Sequence, residues 1–230
     1  MSRKILIIGN SDGIGAALTR ALVARDDHVV GISRSPSPLG KSGPRHEIQD
    51  VASPEFGVLL RRLMTEEGGF DACIYCAGIG SELTLPDLSN EPRVFDVNLN
   101  GMVRTLEILG PHWIEQKNGH FIGISSLADD IYSTHAPSYS ASKAGFSNYL
   151  LSMGLRLRPH NVAVTNVRFG FVDTKMAKSP SKPLMMTPER AAAHIVRCLE
   201  RRPLQLSVPK AVGAVAHVMR LAQSVRIWLA

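Results

Sequence analysis

Lys4 to Ile8 is apolar after its first residue, and it runs directly into Gly9-Asn-Ser-Asp-Gly13-Ile-Gly15 and then a stretch of helical periodicity to about Asp26. A short continuous apolar run between breaks reads as a strand buried on both faces, which requires helices above and below its sheet. The glycines supply the turn between strand and helix. Gly9 permits the tight turn, Gly13 lets the backbone approach a pyrophosphate, and Gly15 lets the helix pack on the strand, while the helix amino terminus presents free N–H groups to the anion. Ser11, Asp12 and Ile14 complete the turn. Glycines gather in turns of every kind, so it is the strand before and the helix after that make this a phosphate-binding turn.

The alternation continues along the chain. His28 to Ser33 reads as a second strand, Arg45 to Gln49 as a short third and Phe70 to Cys76 as a fourth; His120 to Ser125, Val162 to Val167 and Leu204 to Val208 follow. Ser53-Pro54-Glu55 carries N-cap, N1-proline and acidic first-turn signals for a helix to about Glu67, and Thr187-Pro188-Glu189 repeats them. Further helical stretches run beyond Asn90 to about Gln116 and from Tyr139 to Leu157. This order predicts a Rossmann-type α/β fold with a doubly wound parallel sheet of about seven strands. A length of 230 residues suits a single domain over 1–230, large enough to bury an extended core.

Composition narrows the function classes. Basic residues exceed acidic ones to give a net charge of +6, but they are scattered without a run of five or six, which argues against nucleic-acid binding. The first apolar run is too short for a signal peptide, and nowhere do ~18 uncharged apolar residues follow one another, so a cytoplasmic protein is expected. Cys73 and Cys76 form a C-x-x-C, yet residues three apart on a strand point to opposite faces, so both are expected to be structural. The eight histidines lack metal-ligand spacing; most are expected at the surface, and no metal site is predicted.

The chemistry concentrates in Ser125-Ser126 and Tyr139-Ser-Ala-Ser-Lys143. Tyr139 and Lys143 lie four apart in a helical stretch, so both side chains leave one face about a turn apart. A phenol titrates near ~10 in water, and a cation held beside it favours phenolate. Lys143 is placed to be that cation. Ser126 ends an apolar strand, at the carboxyl edge where parallel sheets bind small molecules.

A Tyr-x-x-x-Lys alone reads as a helix with a half-buried aromatic and a solvated lysine. With Ser126 placed 13 residues before Tyr139 and the glycine turn opening the chain, the sequence resembles the short-chain dehydrogenase/reductases over nearly its whole length. The resemblance implies hydride transfer between a nicotinamide and a small-molecule alcohol or carbonyl. Tyr139 would give or take the hydroxyl proton, Lys143 would tune Tyr139 and hold the nicotinamide ribose, and Ser126 would bind the carbonyl oxygen. Asn98, in Asn98-Leu-Asn-Gly101, would hold a water linking the lysine to solvent. The other reading is a non-catalytic protein that senses cofactor redox state on the same fold; the intact Ser126, Tyr139, Lys143 and Asn98 argue against it.

The same resemblance places the cofactor. The second strand ends in Ser33-Arg34 with an arginine and no acid, which favours NADP(H), with NAD(H) possible. Asp12 points the other way, standing where many NADP-using relatives have a basic residue. Asp50, followed by Val51, matches the acid at the adenine ring. Cys76-Ala77-Gly78 matches Asn-Ala-Gly, with Cys76 expected to alter local hydrogen bonding without loss of chemistry. Arg168-Phe169-Gly170-Phe-Val172-Asp-Thr174 matches Pro-Gly-x-x-x-Thr; Val172 and Thr174 fall at carboxamide contacts, and Phe169 in place of proline is expected to loosen the turn. Residues 175–186 match the mobile substrate loop. Asp129, where many relatives have glycine, Asp130, Tyr132 and His135 are candidates to line the pocket. A homodimer or homotetramer is expected through the helices carrying Asn98 and Tyr139, with Phe146, Tyr149, Leu150 and Met153 as an interface stripe.

The chain ends in an expected amphipathic helix over about 210–228. Val212, Val215, Val218, Met219 and Leu221 alternate with Lys210, His217, Arg220 and Arg226. Burial against the domain or a second subunit is the favoured reading, since amphipathic stripes mostly mark core faces. The basic rim and Trp228 leave a membrane-surface helix as the alternative.

Overall fold

The structure is a computed structural model that describes residues 2–37, 39–40, 42–80, 82–177 and 184–228, apart from the side chains at 214, 217, 221, 226 and 227. Seven parallel strands lie in the order β3-β2-β1-β4-β5-β6-β7: β1 (Lys4–Ile8), β2 (His28–Ser33), β3 (Arg45–Ile48), β4 (Ala72–Tyr75), β5 (Gly119–Ser126), β6 (Val162–Phe169) and β7 (Gln205–Val208). The order reverses direction at β1, whose neighbours are β2 and β4. Every connection is therefore a crossover, that from β2 to β3 without a helix and the others made by α1 (Gly13–Val23), α2 (Glu55–Glu67), α3 (Glu91–Phe95) with α4 (Gly101–Gln116), α5 (Pro137–Leu157) and α6 (Pro188–Arg201), with α7 (Lys210–Trp228) closing the chain. The strand count and the parallel, doubly wound arrangement agree with the sequence reading.

The period-2 alternation of β1 divides the core in two. Ile5 and Ile7 pack with Leu18 and Leu22 of α1 and with Ile195 and Leu199 of α6. Leu6 and Ile8 pack on the opposite face with Leu60 and Leu63 of α2, Leu109 and Trp113 of α4, and Phe146 and Leu150 of α5. Cys73 and Cys76 fall on different faces, Cys73 in the second cluster and Cys76 against the first, so the C-x-x-C is not a pair. Among the described histidines His120 is buried; it hydrogen-bonds Thr165 Oγ1 at 2.8 Å, and burial pushes its pKa down to about 3.

Four expectations need correction. The helical stretch from Asn90 to Gln116 is interrupted, because Asp96–Asn100 winds as a π turn between α3 and α4. The stripe on α5 belongs to the core of one chain: Phe146 and Leu150 are fully buried, and Tyr149 and Met153 pack against the same cluster. Phe169 does not loosen its turn. It extends β6 by pairing with Val208 and is buried, its ring edge-on to His194 with centroids 6.5 Å apart. The terminal helix forms, but the domain covers only one side of it: Ala216 is buried, whereas Val215, Val218 and Met219 are exposed. Leu221, His217 and Arg226 have side chains outside the described residues, as does the 178–183 part of the expected substrate loop.

Candidate active site

The carboxyl ends of β1, β4, β5 and β6 meet along one edge, and their following turns supply the site. Gly9 ends β1 with φ +89°, a conformation that penalises any side chain, and a Cβ there would lie 2.5 Å from Ala77 N. A Cβ on Gly15 would lie 1.9 Å from Gly9 O. These two glycines bring the first turn of α1 down onto β1 and leave its N–H groups open in front of Ser11 and Ile14. Asp12 caps α1 by accepting from Gly13 N at 2.8 Å. Its other oxygen pairs with Lys175 at 2.8 Å, and that bond above all, helped by the Gly13 N–H, holds the carboxyl below the usual carboxylate range. The acid that opposed a phosphate in the sequence thus carries its own cation, supplied by the residue after Thr174. Thr174 itself lies over the turn, since a Cβ on Gly13 would be 2.9 Å from Thr174 Cγ2.

Along the adenosine side, Ser33 is buried and donates to Ser35 O at 2.8 Å, while Arg34 is exposed. Asp50 accepts from Ala52 N at 2.9 Å and pairs with Arg93 of α3. Burial pushes its carboxyl up, but the Ala52 N–H and the Arg93 guanidinium outweigh it, and the net shift is downward. Val51 is buried against the start of α4. Asn10, between Gly9 and Ser11, is fully buried against Gly31 with neither amide atom hydrogen-bonded. The glycine cradle at the carboxyl end of β1 fits a polar dinucleotide.

The proposed chemical groups converge from three elements. Ser126 ends β5 and caps the short turn Leu127–Asp130, its Oγ accepting from Ala128 N at 3.1 Å. Tyr139 and Lys143 share one face of α5, with Lys143 Nζ 5.9 Å from the Tyr139 ring centroid. The loop after β4 crosses both: a Cβ on Gly80 would be 3.3 Å from Tyr139 Cδ2, and one on Gly78 would be 3.7 Å from Lys143 Nζ. Asn98, in the π turn, fastens that loop. Its Oδ1 accepts from Ile79 N at 2.8 Å, and its Nδ2 donates to Ile79 O at 2.9 Å and to Ser142 Oγ at 3.0 Å. The Tyr75 hydroxyl donates to Val97 O at 2.6 Å and ties the π turn to β4. Single π turns recur at functional sites because they turn one residue out of helical register.

The electrostatics differ from the sequence reading in one respect. Burial raises the Tyr139 phenol above its ordinary value; a hydrogen bond with Ser126 offsets part of this, and the Asp129 carboxylate adds to it. The protonated phenol is the resting form, with burial outweighing what lowers it. Lys143 is buried and donates to Ile124 O at 2.8 Å, and desolvation lowers its pKa to about 8, against the opposing pull of the Asp129 carboxylate. The lysine therefore stays largely cationic at neutral pH. Burial pushes the Cys76 thiol up to about 12, so it is an inert neighbour.

Two candidate pocket residues belong elsewhere. Asp129 and Asp130 are buried around Arg168, whose Nε lies 2.7 Å from Asp129 Oδ2 and whose Nη2 pairs with Asp130. Ser147 of α5 donates into the same cluster, and Arg220 of α7 reaches Asp130 at 3.5 Å. Tyr132 is engaged with Gln223 and Ser224 of α7. His135 is exposed. Beyond Gly170, whose N–H donates to Val208 O at 2.9 Å, Val172 bridges Met186 and closes the base of the 175–186 loop. Arg93, Ser142 and Lys175 were not legible as site residues. Arg168 carried a signal, because a cation inside an apolar run demands a buried acid.

A glycine-cradled anion site and a Ser-Tyr-Lys group at the switch point of a doubly wound sheet define a dinucleotide-dependent oxidoreductase. Comparison with known proteins gives the same class. The profile of the family described as short chain dehydrogenase matches residues 3–184. An uncharacterized oxidoreductase of Myxococcus xanthus is 30% identical over 223 residues, covering 90% of this chain and 87% of its own. A 3-oxoacyl-(acyl-carrier-protein) reductase of Vibrio cholerae is 27% identical, with 76% and 75% covered. A fatty acyl-CoA reductase of Acinetobacter baylyi is 26% identical, with 94% and 77% covered. Among solved structures, a short-chain dehydrogenase from Streptomyces avermitilis superposes with a TM-score of 0.82 at 23% identity, over all of this chain and 96% of that one. The chain belongs to the short-chain dehydrogenase family.

Proposed function

We propose that the protein is an NADP(H)-dependent oxidoreductase that interconverts a carbonyl and an alcohol, with Ser126, Tyr139 and Lys143 as its chemical groups and Asn98 as the residue that fastens them. The observation that carries this reading is the convergence of Tyr139, Lys143 and Asn98 on the loop Gly78–Gly80 beside the glycine turn. The bound nicotinamide supplies or accepts the hydride. Tyr139, held protonated by burial, delivers its proton to the carbonyl oxygen as the carbon is reduced and recovers it in the reverse direction. Ser126 Oγ accepts from Ala128 N–H, so its own proton, shared with Tyr139 in the free protein, can turn to that oxygen. Lys143 places a positive charge on the same helix face and stabilises the phenolate as it forms. Asn98 uses three hydrogen-bonding positions on Ile79 and Ser142, so its side chain acts by holding the loop; a water relay would run through other atoms. Gly9, Gly13, Gly15, Asp50, Ala77, Val172 and Thr174 would hold the cofactor, with Arg34 on the 2′-phosphate.

Two relatives named for acyl substrates favour a carbonyl on an acyl chain. The test follows cofactor oxidation with a 3-oxoacyl thioester, a long-chain aldehyde and simple ketones. Tyr139→Phe is expected to abolish turnover and leave cofactor affinity nearly intact, because only the proton donor is removed. Wild-type kcat in that variant on a confirmed substrate would overturn the assignment.

A further inference from the structure

The terminal helix α7 has two unlike sides. Gly213, Ala216, Arg220, Gln223 and Ser224 face the domain: Ala216 is buried, Arg220 reaches Asp130, and Gln223 and Ser224 hold Tyr132 in the segment between Ser126 and Tyr139. Val215, Val218, Met219, Ala222 and Val225 recur at helical spacing on the other side, and all are exposed, Val218 at 64%. Trp228, three residues past Val225, is 84% exposed. From Lys210 to Ala230 the sequence holds Lys210, Arg220 and Arg226 and no Asp or Glu. An exposed apolar stripe is a contact surface in search of a partner, and the charge of this helix decides which kind.

We propose that α7 docks the protein on an anionic lipid surface, with Val215, Val218, Met219, Val225 and Trp228 inserted among the headgroups. An interfacial helix combines an apolar face carrying an aromatic residue with a cationic polar face, and it binds by apolar burial together with attraction to anionic lipid. Arg220 is turned to the domain and Asp130, so the charge left for lipid is that of Lys210 and Arg226, with no acid among residues 210–230 to oppose it. A second copy is the competing occupant. In a two-fold contact α7 would meet itself, bringing the Lys210 and Arg226 charges of two copies together with no carboxylate on either helix to pair them. No helix among the described residues is long and apolar enough to cross a membrane, so the contact lies in the plane of the surface. The inference rests on no assumption about the reaction.

The two tryptophans make a direct readout possible, because Trp113 is fully buried and Trp228 is exposed. The full chain is titrated with phosphatidylcholine vesicles, with or without phosphatidylglycerol, following tryptophan emission and co-sedimentation. The expected result is a blue shift and sedimentation with the anionic vesicles only, both weakened by added salt. Trp228→Phe should lose the shift and keep most of the sedimentation. Val218→Glu with Val225→Glu should lower binding at least about tenfold, since each substitution places a charge in the inserted face; both sites are exposed, so an unchanged melting temperature is expected. Equal binding to neutral vesicles, no binding to either, or a blue shift that grows with protein concentration in the absence of lipid would overturn the proposal, the last by showing that a second copy covers the stripe.

Discussion

Replacing Arg168 with Met tests whether the buried acid pair behind the site is held by charge. The methionine keeps an unbranched stem of similar length, so packing alone predicts a loss under about 1.5 kcal/mol. The structure predicts more. Arg168 is 8% exposed and forms a two-pronged pair with Asp129 and a further pair with Asp130, both buried. Without it, Asp129 keeps the Ser147 hydroxyl, which does not make up for a guanidinium. Removing one partner of a buried pair costs about 3–5 kcal/mol, which for a chain of this size is a fall of roughly 6–20 °C in melting temperature. The pH dependence separates the two accounts. A buried carboxylate left without its cation favours its protonated form, so the folded variant takes up a proton at a higher pH than the unfolded chain does. Its stability relative to wild type therefore improves as pH falls. Urea unfolding of wild type, Arg168→Met and Arg168→Met with Asp129→Asn, at pH 7.5 and pH 5.5, measures both effects. The double variant should recover most of the loss, because the orphaned Asp129 charge is gone. A loss below about 1 kcal/mol, an equal loss at both pH values, or a double variant no better than the single one would refute the reasoning.

Other outcomes can be stated briefly. Calorimetric titration should give tighter binding of NADPH than of NADH, with Arg34→Ala losing about one to two decades of NADPH affinity and little for NADH, since a guanidinium–phosphate contact is worth ~1.5–3 kcal/mol; Ser33→Asp should shift the preference toward NADH, and tighter NADH binding by wild type would sink the idea. Lys143→Met should lose activity yet be more stable than wild type at pH 7, because burial depresses the lysine from 10.5 to about 8. Between those values the unfolded chain holds the extra proton, so wild type gains stability as pH rises, and chemical denaturation should find the variant's advantage narrowed by roughly 3 kcal/mol at pH 10. Light scattering at micromolar concentration should report a dimer or tetramer, and a monomer of 25.0 kDa alone would count against the assembly expected of this family.

The elements were legible where local signals and the fold agree. The apolar run of β1 and the start of α2 near Ser53-Pro54-Glu55 could be read directly, although the helix begins one residue later than the capping signal implies, with Pro54 in the cap position and Ser53 Oγ accepting from Glu55 N at 3.3 Å. The Ser126, Tyr139 and Lys143 set was legible because its spacing lies within one strand end and one helix. The π turn at Asp96–Asn100 was not, since its residues have ordinary helical periodicity and the extra turn width comes from Tyr75 and Ile79 in another element. Nor were the pairs Asp50–Arg93 and Asp12–Lys175, which join residues far apart in the chain. The stripe of α5 looked like an interface because periodicity marks burial without naming what buries it.

Three departures from the family's motifs, at Cys76, Asp129 and Phe169, look in the sequence like threats to the site. Each is compensated by something that can be named. Cys76 keeps the strand-end hydrogen bond through its backbone, its N–H donating to Ile8 O at 2.8 Å, and its thiol stays neutral beside Lys143. Phe169 exchanges a fixed φ for strand pairing with Val208, so the turn is held by the sheet. Asp129 is the largest change, a carboxylate whose field raises both the Tyr139 phenol and the Lys143 ammonium. For Lys143 that field opposes desolvation and preserves the cation; for Tyr139 it favours the proton-bearing phenol that a carbonyl reduction needs. Arg168 limits the effect by neutralising most of the same charge. A glycine at 129 would remove the field but also the buried connection that runs from Ser147 through Asp129, Arg168 and Asp130 to Arg220 of α7. That connection ties the turn after Ser126 to β6, α5 and α7, while Asn98 and Gly78–Gly80 hold Tyr139 and Lys143 from the loop after β4.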